Sequence, residues 1–425
     1  MKTRILNLLL PVLALTAAAC GDSFEFGTPT HDLNEGTDLS AGTTQVLWKN
    51  KGAVYPTKRI HNFRIPGLVR TPHKLIAFCE AREETGSTNK DGGDIDLVYR
   101  VSTDDGQTWG PSQVLFDDED NTCGNACAVW TESGRLVVLC CWQRTGTTEE
   151  KFKSNYFTFE EAQTYACHVV CFYSDDEGTT WSGPFKHFTE GRNSNPDRYL
   201  WTGFFKAGPG HAIQLKTGEH KGRILVGCDH KYQIYNGVPV TSDDENYYGS
   251  HVAYSDDNGE SWHMLELDEE LHYGNECVPV ELSDGRIYLD MRSTGAYKNQ
   301  RGWSVSGDGG ITWSRYTPNP LRTDPGCQGS IVNYNTNGVP SSVILASSNN
   351  STGRDHLSIR ASLDDCATWK TDVYQITEGK SGYSDLVVFD DGSVGVLYEN
   401  GTSVYREQIS FRRIPAATIA KYINE

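Results

Sequence analysis

The sequence predicts an all-β fold of the β-propeller type. Three observations carry this: a short acidic-turn motif that recurs along the chain, a strand-like run before each copy, and a composition rich in glycine and aromatic residues. The motif is Ser-x-Asp-x-Gly-x-Thr/Ser-Trp. It occurs at Ser102–Trp109, Ser174–Trp181, Ser255–Trp262 and Ser306–Trp313, and a fifth copy at Ser362–Trp369 carries Cys366 in the glycine place. The starts are 72, 81, 51 and 56 residues apart, and five of the 10 tryptophans close a copy. Spacing of that size matches sheet modules repeated around an axis.

Each copy follows a run with strand character: Ile95–Val101, Cys167–Tyr173, His251–Tyr254, Trp303–Val305 and Leu357–Ala361. An Asp-x-Gly turn after such a run is hairpin chemistry. Glycine takes positive φ, aspartate accepts turn N–H bonds, and tryptophan packs beneath. A calcium loop is the rival reading, but an EF-hand needs a bidentate Glu at its twelfth position, and Trp closes these turns much earlier. The chain closes with strand-like Tyr405–Ile414 and a short Ala-rich helix.

Composition bounds the function. The 425 residues hold 42 Gly and 21 Tyr and are 37% hydrophobic, which excludes a disordered or coiled-coil chain. A net charge of −18 argues against a nucleic-acid partner. Beyond residue 20 no apolar run reaches the ~20 residues of a membrane span.

The N-terminus reads as a targeting segment. Lys2 and Arg4 precede an apolar stretch, Leu6–Leu15, that ends in Ala17-Ala18-Ala19-Cys20. Residues 1–20 are therefore expected to be a secretory signal. Cys20 after small residues resembles a lipobox, although Ala17 stands where Leu is usual; the resemblance implies an acylated cysteine and an exported lipoprotein facing the periplasm or the outside, with an ordinary cleaved signal as the alternative. Residues 21–44 suit a flexible tether, leaving 45–425 as the folded domain. Of 12 cysteines, Cys140, Cys141, Cys167 and Cys171 lie in apolar strand text and read as small buried hydrophobes. Cys123 and Cys127 lack the histidines of a zinc site.

The acidic copies look like the Asp-box repeats of sialidases, and the chain from about Trp48 onward resembles the bacterial exo-sialidases of glycoside hydrolase family 33. That resemblance implies a six-bladed β-propeller in which one blade lacks a box, with the boxes away from the active site. Boxes also occur on non-catalytic propellers, so the catalytic reading rests on other residues. A glycosidase acting on an anomeric carbon that bears a carboxylate needs a rigid cationic clamp, for which Arg forks are suited. It is best served by an uncharged nucleophile, and sialidases use tyrosine. A separate acid must protonate the departing oxygen.

The matches to the family follow that scheme. Arg64, in Phe63-Arg64-Ile65-Pro66, resembles the first Arg of the carboxylate triad; Arg292, in Tyr288–Ser293, resembles the second; Arg354, in Gly353–Leu357, resembles the third, with Arg360 close by in the same segment. Tyr383, in Gly382–Leu386, matches the nucleophile, and Glu276, in Asn275–Cys277, matches the group that takes its proton. For the acid/base, Asp91 satisfies the family rule of an Asp three residues ahead of a Gly-Asp, and Asp94 is the runner-up, otherwise a cap at the start of the next strand. Arg82 matches an Arg near the 4-hydroxyl of the sugar, and Glu399 matches a Glu that orients the first triad Arg. The turn Gly208-Pro209-Gly210-His211 is expected near the pocket rim.

The resemblance therefore implies a retaining exo-α-sialidase that releases terminal sialic acids from glycoproteins, glycolipids and oligosaccharides through a tyrosyl intermediate. The alternatives are a trans-sialidase and a non-catalytic sialoglycan-binding propeller. The reading calls for no cofactor and no metal, for sialylated glycans as partners, for membrane contact only through the lipid anchor, and for a monomer.

Overall fold

The computed structural model describes residues 42–52, 54, 58–83, 91–147, 167–185, 200–235, 238–239, 248–264 and 271–425. The signal segment with Cys20, nearly all of the tether, and residues 84–90 ahead of Asp91 lie outside the described residues. What is described is all-β except for a 3₁₀ turn, Gly295–Tyr297, and one C-terminal α-helix, Ala416–Asn424.

Among the described residues, hydrogen bonding gathers the strands into five sheets in a propeller-like arrangement. Three are four-stranded and antiparallel, and two of these are meanders of consecutive strands. One contains Gly274–Glu281, Ile287–Ser293, Gln300–Ser306 and Thr317–Thr323; the next contains Ile331–Asn333, Ile344–Ser348, Ser358–Ser362 and Tyr374–Gln375. The nine-stranded sheet is two such meanders, 60–116 and 122–185, linked by the parallel bridge Ile95↔Thr122, with Gly210–His211 paired in parallel to Thr122–Trp130 as the ninth strand. The sheet of residues 200–264 is a meander with two short additions. In the last meander, Lys380–Val388, Val394–Gly401 and Gln408–Ile414 are completed by Thr43–Lys49, which pairs antiparallel with Gln408–Ile414 from Thr43↔Arg413 to Lys49↔Gln408. The start of the described domain is thereby sewn to its end.

The sheets pack face to face, so their central strands are buried on both sides and read as nearly unbroken apolar runs. Leu75–Ala81 and Leu136–Cys141 are buried throughout. Most of the hydrophobic clusters lie between two meanders that follow each other in the chain. Val137, Leu139 and Cys141 meet Phe205, Val226 and Cys228, and Leu225 and Val252 meet Leu289 and Met291. Phe63, Leu75 and Ala77 meet Phe389, Leu397 and Phe411, which joins the first meander to the last. Cys140, Cys141, Cys167 and Cys171 lie inside these clusters, and no disulfide joins the described cysteines.

The repeated octapeptide closes on itself. In the first copy the Asp104 carboxylate accepts Ser102 Oγ at 2.7 Å, Thr108 N at 2.8 Å and Thr108 Oγ1 at 2.5 Å, while Ser102 Oγ accepts Gly106 N at 2.8 Å. The same pattern recurs around Asp176, Asp257, Asp308 and Asp364. Each Asp is thus saturated by its own turn. The glycine serves two ends. It takes positive φ, 86° at Gly106, and it lets the hairpin approach the preceding sheet. A Cβ on Gly106 would lie 2.2 Å from the Phe411 ring, and one on Gly310 would lie 3.0 Å from Leu225. In the fifth copy Cys366 holds the left-handed place at φ 65°.

Four inner strands break register at one end: between Arg64 and Gly67, Gly124 and Cys127, Gly274 and Cys277, and Ser381 and Ser384. Such bulges re-aim side chains. The residues inside them include Ile65, Asn125, Glu276 and Tyr383, and all four line one cavity.

Candidate active site

That cavity has a volume of about 550 Å³. Arg64, Arg82, Asp91, Glu276, Arg292, Arg354 and Tyr383 all line it, and Glu399 lies directly behind. Seven matched positions from widely separated stretches of sequence thus converge on one space.

Arg64 is 7% exposed and is held by a buried carboxylate. Glu399 Oε1 accepts Arg64 Nε at 2.9 Å and the Ile65 N–H at 3.0 Å; Oε2 accepts Arg64 Nη2 at 3.2 Å and the Tyr383 N–H at 3.1 Å. One carboxylate therefore fixes both a guanidinium and the backbone on either side of it. Gly382 makes this possible, because a Cβ there would lie 2.2 Å from Glu399 Oε2. Ile65 pays locally, with φ 58°, a strained value for a β-branched residue.

Tyr383 Oη donates to Glu276 Oε1 at 2.5 Å and accepts from Arg292 Nη1 at 3.0 Å, and the same Nη1 donates to Glu276 Oε2 at 2.8 Å. Burial, with the Glu276 carboxylate, pushes the phenol well above its ordinary pKa, while Arg292 and Arg354 pull the other way. The resting tyrosine is neutral, with an acceptor already on its proton.

Arg354 differs from the other two arginines. Arg64 and Arg292 each have a carboxylate, whereas Arg354 Nη2 donates to the Gly326 carbonyl at 3.3 Å and its guanidinium faces Tyr383 at 5.3 Å and Tyr405 at 4.9 Å. Among the described residues no carboxylate pairs with it. Arg360, its neighbour in sequence, is bound to the carbonyls of Lys370 and Thr371 instead.

Asp91 pairs with Arg82 at 2.8 Å, and Arg82 is braced by Glu80 at 2.9 Å and 2.5 Å. Burial alone would raise the Asp91 pKa; Arg82, Arg64 and Lys206 outweigh it and hold the carboxyl well below the usual carboxylate range. Asp94 sits apart from the cavity lining. It joins Glu83, Asp96 and Asp117 around the Lys58 ammonium, which lies 3.2 to 3.7 Å from all four.

One expectation is corrected. The Gly208–His211 turn does not line this cavity. Gly210 and His211 pair in parallel with Cys127 and Ala128, and His211 Nδ1 meets the buried Asp385 at 2.7 Å. His211 lines a second, less polar cavity among the other ends of the inner strands. The turn serves the interior of the fold. In the other direction, Glu80, Asn125, Lys206, Lys298, Tyr405 and Arg406 line the site and were not singled out from sequence.

The architecture and the cavity define a propeller-like β-protein with an arginine-lined anion site and a tyrosine–carboxylate pair. The profile described as "BNR repeat-like domain" matches residues 73–396, more than half of the chain, and the chain belongs to that family. It is similar to a sialidase of Micromonospora viridifaciens, 29% identical over 93% of this chain and 58% of that protein, so the chain spans little more than half of that relative. It is also similar to an exo-alpha-sialidase of Aspergillus fumigatus, 26% identical over 93% of this chain and 91% of that one, and to a sialidase of Paraclostridium sordellii, 29% identical over 96% of each. In fold it resembles the Trypanosoma rangeli sialidase solved with sialic acid, with a TM-score of 0.68, 20% identity, and coverage of 90% of this chain and 60% of that one.

Proposed function

We propose that this chain is a retaining exo-α-sialidase that hydrolyses terminal sialic acids from glycoproteins, glycolipids and oligosaccharides. The observation that carries the reading is the Tyr383–Glu276 bond of 2.5 Å, set against Arg292 and opening into the same cavity as Arg64 and Arg354. The three guanidinium groups take the substrate carboxylate, and Arg354 gains in that anion the counter-charge that no described carboxylate supplies. Tyr383 attacks the anomeric carbon as its proton passes to the Glu276 carboxylate, which becomes neutral, so no full phenolate anion has to form beside the substrate's own carboxylate. Asp91 protonates the departing oxygen. After the aglycone leaves, Asp91 takes a proton from water, which attacks the tyrosyl sialoside, and Glu276 returns its proton to Tyr383. The low resting pKa of Asp91 fits this order. The incoming carboxylate offsets the nearby positive charge, so Asp91 gains its proton as the site fills. Glu399 holds Arg64 in place, and Arg82 faces the 4-hydroxyl side of the sugar.

Tyr383→Phe tests the reading. Release of sialic acid from sialyllactose should fall by at least about a thousandfold while binding of the free acid persists; full activity in that variant would reject it. The strand grouping, with the nine-stranded sheet divided at Ile95↔Thr122, supports a six-bladed ring closed by Thr43–Lys49. The N-terminal residues support export as an acylated lipoprotein, tested by incorporation of labelled fatty acid with and without Cys20→Ala.

A further inference from the structure

The clamp does not account for all of the positive charge around this cavity. Arg64, Arg82 and Arg292 have carboxylates of the protein, and Arg354 is matched by the substrate's own anion in the reading above. Lys298 and Arg406 also line the cavity, and among the described residues neither has a carboxylate within ion-pair distance. The chain as a whole carries −18, so two surplus cations at one mouth run against its general charge.

Their placement is specific. Lys298 follows the short 3₁₀ turn Gly295–Tyr297, and its carbonyl oxygen would lie 3.5 Å from a Cβ on Gly326, whose own carbonyl accepts Arg354 Nη2 at 3.3 Å. Arg406 follows Tyr405, whose ring lies 4.9 Å from the Arg354 guanidinium. Both cations are thus carried by segments that adjoin Arg354 or its partner Gly326. The hairpin that carries Arg406 is not a loose tip: Glu407 accepts the N–H groups of Thr402, Ser403 and Val404 at 2.9, 2.9 and 3.0 Å, and the Ser403 hydroxyl at 2.5 Å. Arg406 is half-buried and Lys298 is exposed.

Substrate chemistry says what such a pair meets. The anomeric carbon bears both the carboxylate held by Arg354 and the oxygen of the bond to be broken. The first sugar beyond that bond therefore begins beside the clamp and extends to the mouth. A neutral sugar gives two cations nothing to pair with, whereas an acidic one does. We propose that Lys298 and Arg406 select an acidic aglycone, in which the sugar next to the scissile bond carries its own anion, either the carboxylate of an internal sialic acid or a sulfate ester. This rests on the sialidase reading and adds a substrate class to it.

The test compares kcat/KM for three soluble substrates: sialyllactose, its α2,8-disialyl counterpart, and sialyllactose sulfated on galactose. The wild type, Lys298→Gln, Arg406→Gln and the double variant are each measured at low and at physiological salt, with thermal melting as a control for folding. An acidic-to-neutral ratio of about ten at low salt is expected in the wild type, eroded by salt and reduced to about one in the double variant. The two acidic arms show whether carboxylate or sulfate is preferred. A wild-type ratio of one or less, or a ratio that the double variant leaves unmoved, overturns this proposal alone. Release from none of the three by folded wild type overturns the sialidase reading and this proposal with it.

Discussion

Glu399→Gln is the most demanding test of how the site is held. The replacement keeps size and shape and removes only the charge and one acceptor. Each oxygen of Glu399 receives two N–H donors, so an amide NH₂ in either orientation must face two of them. Two bonds are lost, and at least one of them involves a charged donor, worth about 1.5–3 kcal/mol. Arg64 also remains buried without its counter-charge. Breaking a buried pair in this way costs about 3–5 kcal/mol, which for a domain of this size lowers Tm by roughly 5 °C. The same change frees the Tyr383 backbone, so kcat/KM on sialyllactose should fall by about a hundredfold through misplacement of clamp and nucleophile together. Calorimetry and initial rates, read side by side, decide the matter. A variant that melts within about one degree of wild type and retains half its activity would refute the claim that this carboxylate organises the site.

Other perturbations reach other parts of the molecule. Asp91→Ala should slow release from sialyllactose by ~10³-fold and from an activated aryl sialoside by less than ~10-fold, since only the poor leaving group needs a proton; equal losses would move the acid/base role elsewhere. Gly106→Ala combines positive φ with a Cβ 2.2 Å from Phe411, and denaturant unfolding should show a loss of about 2–4 kcal/mol. No loss would mean that the hairpin does not press on its neighbour. Glu83, pushed by burial and by Asp94 from an ordinary 4.5 up to about 7, binds its proton more tightly folded than unfolded. The stability this adds is complete below about pH 4.5 and disappears as pH rises through about 7. Glu83→Gln should flatten that part of the Tm-against-pH curve, and an unchanged slope would place the cause in another group.

The scaffold was legible because the octapeptide is a local device. Ser102, Asp104, Gly106 and Thr108 satisfy one another within a single turn, so their spacing survives in the sequence and marks five of the hairpins. The residues brought together in the cavity were legible for a different reason. Short contexts such as Phe63-Arg64-Ile65-Pro66 and Gly382-Tyr383 encode a bulge as well as a side chain, and the bulge restricts which neighbours are tolerated. Tyr405 and Arg406 left no such trace. They sit at a hairpin tip whose order comes from Glu407, and nothing in Gly-Thr-Ser-Val-Tyr-Arg-Glu indicates what the tip leans on. The Gly208–His211 turn misled for the converse reason. Its glycines and histidine suggest a rim, yet it is needed for close packing beside Asp385 in the interior.

The four register breaks carry a consequence for how such a molecule changes over time. Along an unbroken strand, parity ties every residue to its neighbours: moving one side chain to the opposite face moves all of them. A bulge cuts that tie. Upstream of the break a strand answers to its ligand, and downstream it answers to hydrocarbon, as Arg64 and Leu68 do on the same segment. Selection can therefore rewrite the chemical end of each of these strands without retuning the foundation, and damage to the foundation need not blur the chemistry.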